Sequence, residues 1–498
     1  MRAEGSWYRR GLSFLPVIFL TVMGAVMCLA TLGDKPLESD EATSFFIARL
    51  DWARFWESLA SSEVNGSSFY TALRFWSELG SSEFFLRLLP VFFAVLTAPV
   101  LYRVATRMLG PVYGTAAAIL PLVNWMFITN AQNLRSYSLS ALMATVTTLL
   151  FFKLVERPSW IIVVAYALSG GVMLYAHFFG AWVLLAHVLS LLFLPRSLIP
   201  WRWLIVAYPA IGLLAVPIGV FVLTQDQGQV DWIHDLSTGQ VRGTMDDFTG
   251  EGGFLLMGIS GILCLLAIVG LVRRKLNERG TTTDGEATPP ISWYWALTLL
   301  WLILPVLGTL GISFFKPLFQ ARYMLVGFPA LMLCLMLGLS VLSWKPLVIA
   351  AWVGVVAVCA AQLPDWYSID DERTWALKTS FVTEQGQRDD GIIFYAPTII
   401  RPFGYYGGYY AERDDPALPE VIYPGKYWLG YSRTRFNPPV GRILARAQTF
   451  DRVWLVMGAA SDKPRRRERN KILEGLRGTC EDTELLSLGV FVFNGCKS

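Results

Sequence analysis

Residues 253–272 read GFLLMGISGILCLLAIVGLV and contain no charged side chain. About twenty residues of α-helix span the roughly 30 Å hydrocarbon core of a bilayer. The stretch is followed directly by Arg273, Arg274 and Lys275, and basic residues are typical of the cytoplasmic ends of membrane helices. The stretch therefore predicts a transmembrane helix.

Similar apolar runs recur along most of the chain, and the composition agrees with them. Of the 498 residues, 54% are hydrophobic and 16% are charged, whereas a soluble domain has about 25% charged residues. This composition excludes a soluble enzyme, a fibrous protein and a disordered chain. The net charge of +4 creates no large basic field, and no block of Lys and Arg lies on a soluble module of the nucleic-acid-binding type, so nucleic acid is not expected as a partner.

The hydropathy pattern predicts a polytopic α-helical membrane protein with about eleven transmembrane helices. The predicted spans are 14–32, 85–107, 111–129, 136–155, 159–175, 178–194, 203–223, 253–272, 292–314, 323–342 and 346–363. The first span follows Arg2, Arg9 and Arg10, as a signal peptide would. Its apolar run of about nineteen residues is too long for one and no small-x-small cleavage site follows, so we expect a retained helix.

The loop charges predict the orientation. If the N-terminus is cytoplasmic, every inward loop is basic, as the positive-inside rule requires. We therefore predict a multi-pass protein of the cell membrane in which residues 1–364 form the transmembrane module. A large extracytoplasmic loop at 33–84 and an extracytoplasmic C-terminal domain at 365–498 complete the predicted organisation.

The C-terminal tail has the pattern of a small α/β domain. Short β-rich runs at 391–396, 452–457 and 489–493 surround a basic helical stretch at 465–476. Cys480 and Cys496 lie in this exported tail, where a disulfide between them can form. The other cysteines lie in apolar spans and are interpreted as packing residues; they are Cys28, Cys264, Cys334 and Cys359.

Two adjacent carboxylates, Asp40 and Glu41, follow the first span. They are candidate catalytic residues, although acidic residues in a first helical turn after an N-capping Ser39 would have a purely structural role. Aromatic amphipathic stretches at 42–59 and 67–79 follow and predict interfacial helices along the membrane. Such helices could line a lipid-facing cavity or simply anchor the loop.

Cations also lie on the predicted outer side, where the positive-inside rule does not place them. Arg135 stands beside Tyr137, and Lys316 precedes Arg322 and Tyr323. The planar guanidinium of arginine suits a phosphate group because it can bind two oxygens at once. The alternative is that these side chains extend to lipid headgroups.

His177 occupies a short outward turn. Its imidazole could bind a phosphate, ligate a metal or transfer a proton, or only satisfy a local hydrogen bond. An acidic loop at 224–252 is interpreted as solvated, with contact to an acceptor or a divalent ion as the alternative. No nucleotide-binding loop of the Walker or dinucleotide type is present in a suitable context.

The order of these motifs resembles the GT-C superfamily of integral-membrane glycosyltransferases. Within it, the chain is most similar to the glycosyltransferase family 39 group, which includes protein O-mannosyltransferase-like and aminoarabinose-transferase-like enzymes. The motifs are Ser39-Asp40-Glu41-Ala42, Gly80-Ser81-Ser82-Glu83, Leu86-Arg87-Leu88-Leu89-Pro90, Asn133-Leu134-Arg135-Ser136-Tyr137, Tyr175-Ala176-His177-Phe178-Phe179, and Ala321-Arg322-Tyr323 with Pro329. Many relatives carry a His-Pro-Pro-like segment late in the first loop, where this chain has Asn65-Gly66-Ser67-Ser68-Phe69-Tyr70.

The resemblance implies transfer of a hexosyl or pentosyl group from a polyprenyl-phosphate donor to a hydroxyl of a lipid, glycan or protein in the cell envelope, by inverting single displacement. It implies that Asp40 is the general base and that Glu41 tunes it or holds a divalent metal ion; no other cofactor is implied. Arg135, Lys316, Arg322 and Tyr323 would bind the donor phosphate, with His177 and Tyr137 in support. The alternative function is a transporter or flippase of lipid-linked sugars, but such proteins place polar residues at the midplane.

Overall fold

The computed structural model describes residues 14–224, 236–280, 288–368, 375–395, 399–407, 419–423, 439–457, 463–487 and 489–497. The chain separates into two compact units. We call Met1–Leu32 with Leu59–Ser368 the helical unit, and Gly33–Ser58 with Ile369–Ser498 the α/β unit. The start of the first loop therefore belongs to the same unit as the C-terminal tail.

Helices form most of the described chain up to residue 368. They are α1 Leu15–Leu29, α2 Ser39–Arg49, α3 Trp52–Ser61, α4 Ser67–Ser77, α5 Glu83–Leu122, α6 Trp125–Ala131, α7 Tyr137–Glu156, α8 Trp160–Ala176, α9 Gly180–Ser190, α10 Trp201–Thr224, α11 Thr238–Thr249, α12 Gly253–Gly280, α13 Ile291–Ser313, α14 Phe328–Ser340, α15 Lys345–Ala360 and α16 Leu363–Tyr367. Short 3-10 turns lie at Leu191–Phe193, Arg196–Leu198 and Ala321–Gly327.

Within the described residues, seven helical stretches are long and apolar enough to cross a membrane, judged by length and composition. Shorter apolar helices lie at Leu15–Leu29, Trp160–Ala176 and Gly180–Phe193. The prediction of a multi-pass helical membrane protein is confirmed. The number of about eleven crossings, the extracytoplasmic first loop and the orientation of the termini stay predictions.

Exposed apolar side chains on the helical unit fit a lipid-facing surface. On α10, Leu213 is 74% exposed and Leu223 is 86% exposed. Apolar side chains at this density would be unfavourable against water, whereas lipid tails are an apolar surrounding. Inside the unit, Cys28, Cys334 and Cys359 are buried, as expected for packing residues.

The predicted break between the second and third spans is present, but the third span is shorter than predicted. Helix α5 is interrupted at Gly110, which has a φ of 81°. Glycine reaches this angle without steric cost, and the following Pro111 disfavours a helical residue before it. The helix then ends at Leu122 rather than 129, and Asn124 caps the separate helix α6 by accepting a hydrogen bond from the Met126 N–H at 3.0 Å.

The predicted interfacial helix at 42–59 is also wrong in its extent. Two helices occupy this region, and α2 already begins at Ser39. Leu50 is extended, with ψ of 153°, and the Asp51 carboxylate accepts a hydrogen bond from the Arg54 N–H at 3.0 Å. Since such a contact favours a new helix start, the amphipathic stretch is divided there.

The tail forms a five-stranded sheet with helices. The strands are β1 Gly391–Tyr395, β2 Glu420–Tyr423, β3 Arg452–Met457, β4 Asp482–Ser487 and β5 Val490–Asn494, in the order β2-β1-β3-β5-β4. The pairs of β1 with β2 and β3 are parallel, and β5 is antiparallel to β3 and β4. The helices are α17 Trp375–Gln385, α18 Ile400–Tyr406, α19 Val440–Ala447 and α20 Lys463–Thr479.

Alternate residues of the central strands pack into separate cores on the two faces of the sheet. Ile393 and Leu455 lie in one core with Leu476 of α20, and Trp454 lies in the other with Phe403 of α18. Strands buried on both faces are continuous apolar runs, which is why the sequence predicted β1, β3 and β5. The strands β2 and β4 were missed, and β4 includes the exposed Leu485. Cys480 and Cys496 form the expected disulfide.

Candidate functional site

The predicted acidic pair begins helix α2 of the α/β unit. Glu38 is the N-cap, and the Glu41 Oε2 atom accepts a hydrogen bond from the Glu38 N–H at 3.0 Å as part of a capping box. The alternative that Ser39 caps this helix is wrong by one residue. Glu41 is 1% exposed, whereas Asp40 is exposed. Of the pair, Asp40 is thus the residue that is exposed and Glu41 the one that is buried.

Helix α18 of the C-terminal tail packs against α2. The Tyr406 hydroxyl accepts a hydrogen bond from the Leu37 N–H at 2.6 Å. Arg401 Nη1 donates to the Thr43 Oγ1 at 2.8 Å. The Tyr405 ring meets the ring of Phe45 edge to face, with centroids 5.2 Å apart. These contacts hold the helix that carries Asp40, and no sequence motif predicted them.

A second group of predicted residues comes together in the helical unit. We call Arg135, Tyr137, His177, Arg322 and Tyr323 the basic aromatic cluster. Arg135 lies just before α7 and Tyr137 is the first residue of that helix; His177 lies in the turn between α8 and α9; Arg322 and Tyr323 lie in the 3-10 turn before α14. Three separate parts of the chain therefore contribute to it.

The rings of the cluster surround the imidazole of His177. Its ring centroid lies 5.2 Å from that of Tyr323 and 6.1 Å from that of Tyr137. The Arg322 Cζ atom lies 6.0 Å from the Tyr137 ring centroid and 5.9 Å from that of Tyr323. Arginine within about 6 Å of a ring is attracted to the ring face, so the two tyrosines help to hold this guanidinium.

His177 lies outside both neighbouring helices and is 3% exposed. Burial first, and then the positive charges of Arg135 and Arg322, together lower the pKa of His177 to about 3. The imidazole is therefore neutral near pH 7. The two arginines act on one histidine although they are distant in sequence.

Arg135 is held by two residues that sequence reasoning missed. Its Nη1 donates a hydrogen bond to the Tyr70 hydroxyl at 2.9 Å, and that hydroxyl donates to the Glu63 carboxylate at 2.9 Å. Tyr70 is 2% exposed. Tyr70 lies on α4, within the predicted amphipathic stretch at 67–79, but its hydroxyl partner is set by packing between helices and has no sequence signal.

The segment that replaces the His-Pro-Pro-like motif docks on the histidine turn. The Asn65 Oδ1 atom accepts a hydrogen bond from the Phe178 N–H at 3.0 Å, and the Gly66 N–H donates to the Tyr175 carbonyl at 3.0 Å. Gly66 has a φ of 101°, and an added Cβ would lie 3.2 Å from the Tyr70 ring. Glycine is suited to such a backbone, so this departure from the family pattern supports the turn that carries His177.

The structure does not test every predicted role. Lys316 is half-buried in the turn after α13, and its phosphate-binding role stays a prediction. Among the described residues no group of three or more His, Cys, Asp or Glu side chains could hold a metal ion. The structure thus supplies no donor set there for the divalent ion considered beside Glu41.

The predicted acidic loop at 224–252 is partly helical. Helix α11 covers Thr238–Thr249, whereas Asp226, Asp231 and Asp235 lie outside the described residues. Burial raises the pKa of Asp247, and burial also raises that of Glu251, with the neighbouring carboxylates adding to both shifts. The interpretation as a simple solvated loop is therefore wrong for this part.

Comparisons with known proteins found distant structural neighbours. No protein-family model and no curated protein matches the chain. Among solved structures, ArnT from Cupriavidus metallidurans bound to undecaprenyl phosphate is 12% identical with a TM-score of 0.47, over 96% of this chain and 98% of that one. The Archaeoglobus fulgidus oligosaccharyltransferase in complex with Zn and sulfate is 12% identical with a TM-score of 0.47, over 79% and 61%.

The arabinosyltransferase EmbB from Mycobacterium smegmatis is 16% identical with a TM-score of 0.41, over 73% of this chain and 32% of that one. At such identities and TM-scores the likeness is distant, and the residues of this chain must carry the assignment of its function.

Proposed function

We propose that this protein is a membrane glycosyltransferase that moves a sugar from a polyprenyl-phosphate donor to a hydroxyl acceptor. The observation that carries the proposal is the convergence of Arg135 and Arg322 around the buried, neutral His177. Guanidinium groups bind an anion with several oxygens through charge-assisted hydrogen bonds. The phosphate of the donor is such an anion, and its lipid chain suits a membrane protein.

The same cluster could also stabilise the phosphate as it leaves the sugar. When the bond between the anomeric carbon and the phosphate breaks, negative charge grows on the phosphate oxygens. Fixed cations in a water-poor site stabilise this charge more strongly than solvent does. Arg135 is fixed by the Tyr70 hydroxyl and Arg322 by the rings of Tyr137 and Tyr323, so both are positioned before the reaction.

Asp40 is the proposed general base. An acceptor hydroxyl is a weak nucleophile, and a carboxylate that takes its proton during attack accelerates such a step by about 10²- to 10⁴-fold. Asp40 is exposed at the start of α2, while Glu41 already serves the helix cap. In a single displacement the hydroxyl oxygen forms the new bond opposite the leaving phosphate, and the sugar configuration inverts. The acceptor is a hydroxyl of a lipid, glycan or protein of the cell envelope, on the extracytoplasmic side.

The test is transfer of radiolabelled sugar from synthetic polyprenyl-phosphate donors to a crude membrane acceptor fraction by the purified protein. Arg135→Gln and Arg322→Gln should each reduce kcat/KM for the donor about 10- to 100-fold, because each removes charge-assisted hydrogen bonds. Arg202→Gln is the matched control, since Arg202 is exposed and stacks on Trp203. Wild-type activity in both cluster variants would refute the phosphate site, and movement of intact lipid-linked sugar between leaflets without transfer would indicate a flippase.

A further inference from the structure

The tautomer of His177 follows from its hydrogen bonds. The Nδ1 atom accepts a hydrogen bond from the Phe179 N–H at 3.3 Å. A ring nitrogen that accepts carries no hydrogen, so in the neutral imidazole the hydrogen lies on Nε2. The neutral state itself follows from burial beside two arginines. His177 therefore presents an N–H donor at Nε2.

This donor has no hydrogen-bond partner among the described residues, although the histidine is 3% exposed. A buried donor without a partner is unfavourable, because it has lost its hydrogen bond to water. The imidazole is not free to turn towards another partner, because Nδ1 already accepts a hydrogen bond and the ring is held between Tyr137, Phe179 and Tyr323. The side chain is therefore held with its one unpartnered donor near Arg135 and Arg322.

A ligand that satisfies Nε2 must accept a hydrogen bond and tolerate two nearby cations. A phosphate oxygen meets both conditions, whereas a second cationic or donor group meets neither. A metal ion would need Nε2 without its hydrogen and further ligands, and the described residues contain no such group.

We infer that His177, as a neutral imidazole, donates its Nε2–H to a phosphate oxygen of the lipid donor and so positions that phosphate between Arg135 and Arg322. The inference rests on the proposed function and adds a role that the two arginines do not have. The two guanidinium groups supply the charge that attracts the phosphate, and the Nε2–H on the held ring adds one hydrogen bond of fixed direction. Through that hydrogen bond His177 acts as a positioning residue for the leaving group.

The aromatic surroundings of His177 allow two variants with opposite defects. His177→Phe keeps the ring that packs on Tyr137 and Tyr323 but removes the N–H. His177→Gln loses the ring but places an amide N–H near the position of Nε2. Each full-length variant is purified, checked for thermal unfolding, and titrated with undecaprenyl phosphate and with undecaprenol, which lacks the phosphate.

We expect His177→Phe to bind undecaprenyl phosphate about 10- to 100-fold more weakly than wild type, the effect of one hydrogen bond to a charged group, with undecaprenol binding unchanged. His177→Gln should bind undecaprenyl phosphate more tightly than His177→Phe. Equal affinities of the two variants, or weaker binding by His177→Gln, would show that the ring matters and not its N–H, and would overturn the inference. A wild type that does not prefer the phosphate over the alcohol would overturn the phosphate site and the proposed function together.

A measurement on the wild-type protein does not depend on the folding of any variant. The chain has three histidines, so ¹⁵N-histidine labelling gives a simple spectrum that is assigned by replacing each of the other two. His177 should show the Nε2–H tautomer, and undecaprenyl phosphate but not undecaprenol should shift its Nε2 resonance. An Nδ1–H tautomer, or no shift at saturation, would overturn the inference.

Discussion

Separate substitutions of Asp40 and Glu41, at the start of α2, distinguish a role in catalysis from a role in helix capping. Asp40→Asn keeps the shape of an exposed side chain and removes its negative charge and its ability to take a proton. We expect kcat to fall about 10²- to 10⁴-fold, the usual contribution of a general base. That loss corresponds to about 2.7 to 5.4 kcal/mol of activation free energy.

Glu41→Gln should have a much smaller effect. Glutamine retains an oxygen that can accept the hydrogen bond from the Glu38 N–H, which is 3.0 Å from the Glu41 Oε2 atom, and Gln is a normal residue at this position of a capping box. Even complete loss of the cap costs about 1 kcal/mol, and a tenfold change in rate corresponds to about 1.4 kcal/mol. The expected loss of activity is therefore below about tenfold.

The assay is the initial rate of labelled sugar transfer, with equal amounts of folded protein verified by size exclusion and thermal unfolding. Asp34→Asn is the matched control, because Asp34 is an exposed aspartate in the same loop. Full activity of Asp40→Asn together with inactive Glu41→Gln would refute the reasoning, since the buried capping residue would then be the base.

Three further predictions concern the surroundings of the site and the tail. Tyr70→Phe removes the hydroxyl that binds Arg135 and should raise the KM for the donor about tenfold; an unchanged KM would mean that Arg135 is positioned without it. Reduction of the Cys480–Cys496 disulfide, with a sequence separation of 16, should destabilise the α/β unit by about 3 kcal/mol; thermal unfolding with and without dithiothreitol checks this, and identical midpoints would contradict it. The folded-state pKa of His177, about 3, is below its ordinary value near 6.5. The unfolded state therefore binds the extra proton first, and the stability of the wild type should fall as the pH decreases from about 6.5. His177→Phe should lack this part of the decrease in stability. Thermal unfolding midpoints of the two proteins measured against pH check this, and parallel curves would exclude the contribution of His177.

Some residues of the basic aromatic cluster and its surroundings could be predicted from the sequence and others could not. Arg135, His177 and Arg322 were selected because polar groups at the ends of apolar spans are expected to have a function. Their common location could be expected only through the family resemblance. Glu63 and Tyr70 were not selected, because a tyrosine and a glutamate in an amphipathic loop have many ordinary roles. Their link to Arg135 depends on how α4 packs near the start of α7.

In the α/β unit, too, local features of the fold could be predicted from the sequence, whereas contacts between distant segments could not. The apolar runs of β1, β3 and β5 predicted strands, because burial on both faces leaves a continuous local signal. The contact of α2 with α18 left no such signal, since hydrogen bonds such as that of Arg401 to Thr43 join residues that are distant in the chain.

By itself the sequence determined that the chain is a multi-pass helical membrane protein with a small α/β tail, and which chemical groups are available at the ends of its spans. These properties depend on the length, hydrophobic period and charge of local runs. The thickness of the bilayer sets the length of a span, and the backbone geometry sets the hydrophobic period of a helix or strand. Only the tertiary structure decided which groups meet, that Glu41 caps a helix while Asp40 is exposed, and that the Nε2–H of His177 has no partner within the described chain. The physical reason is that such contacts depend on the packing of many side chains at once, and no local run encodes it.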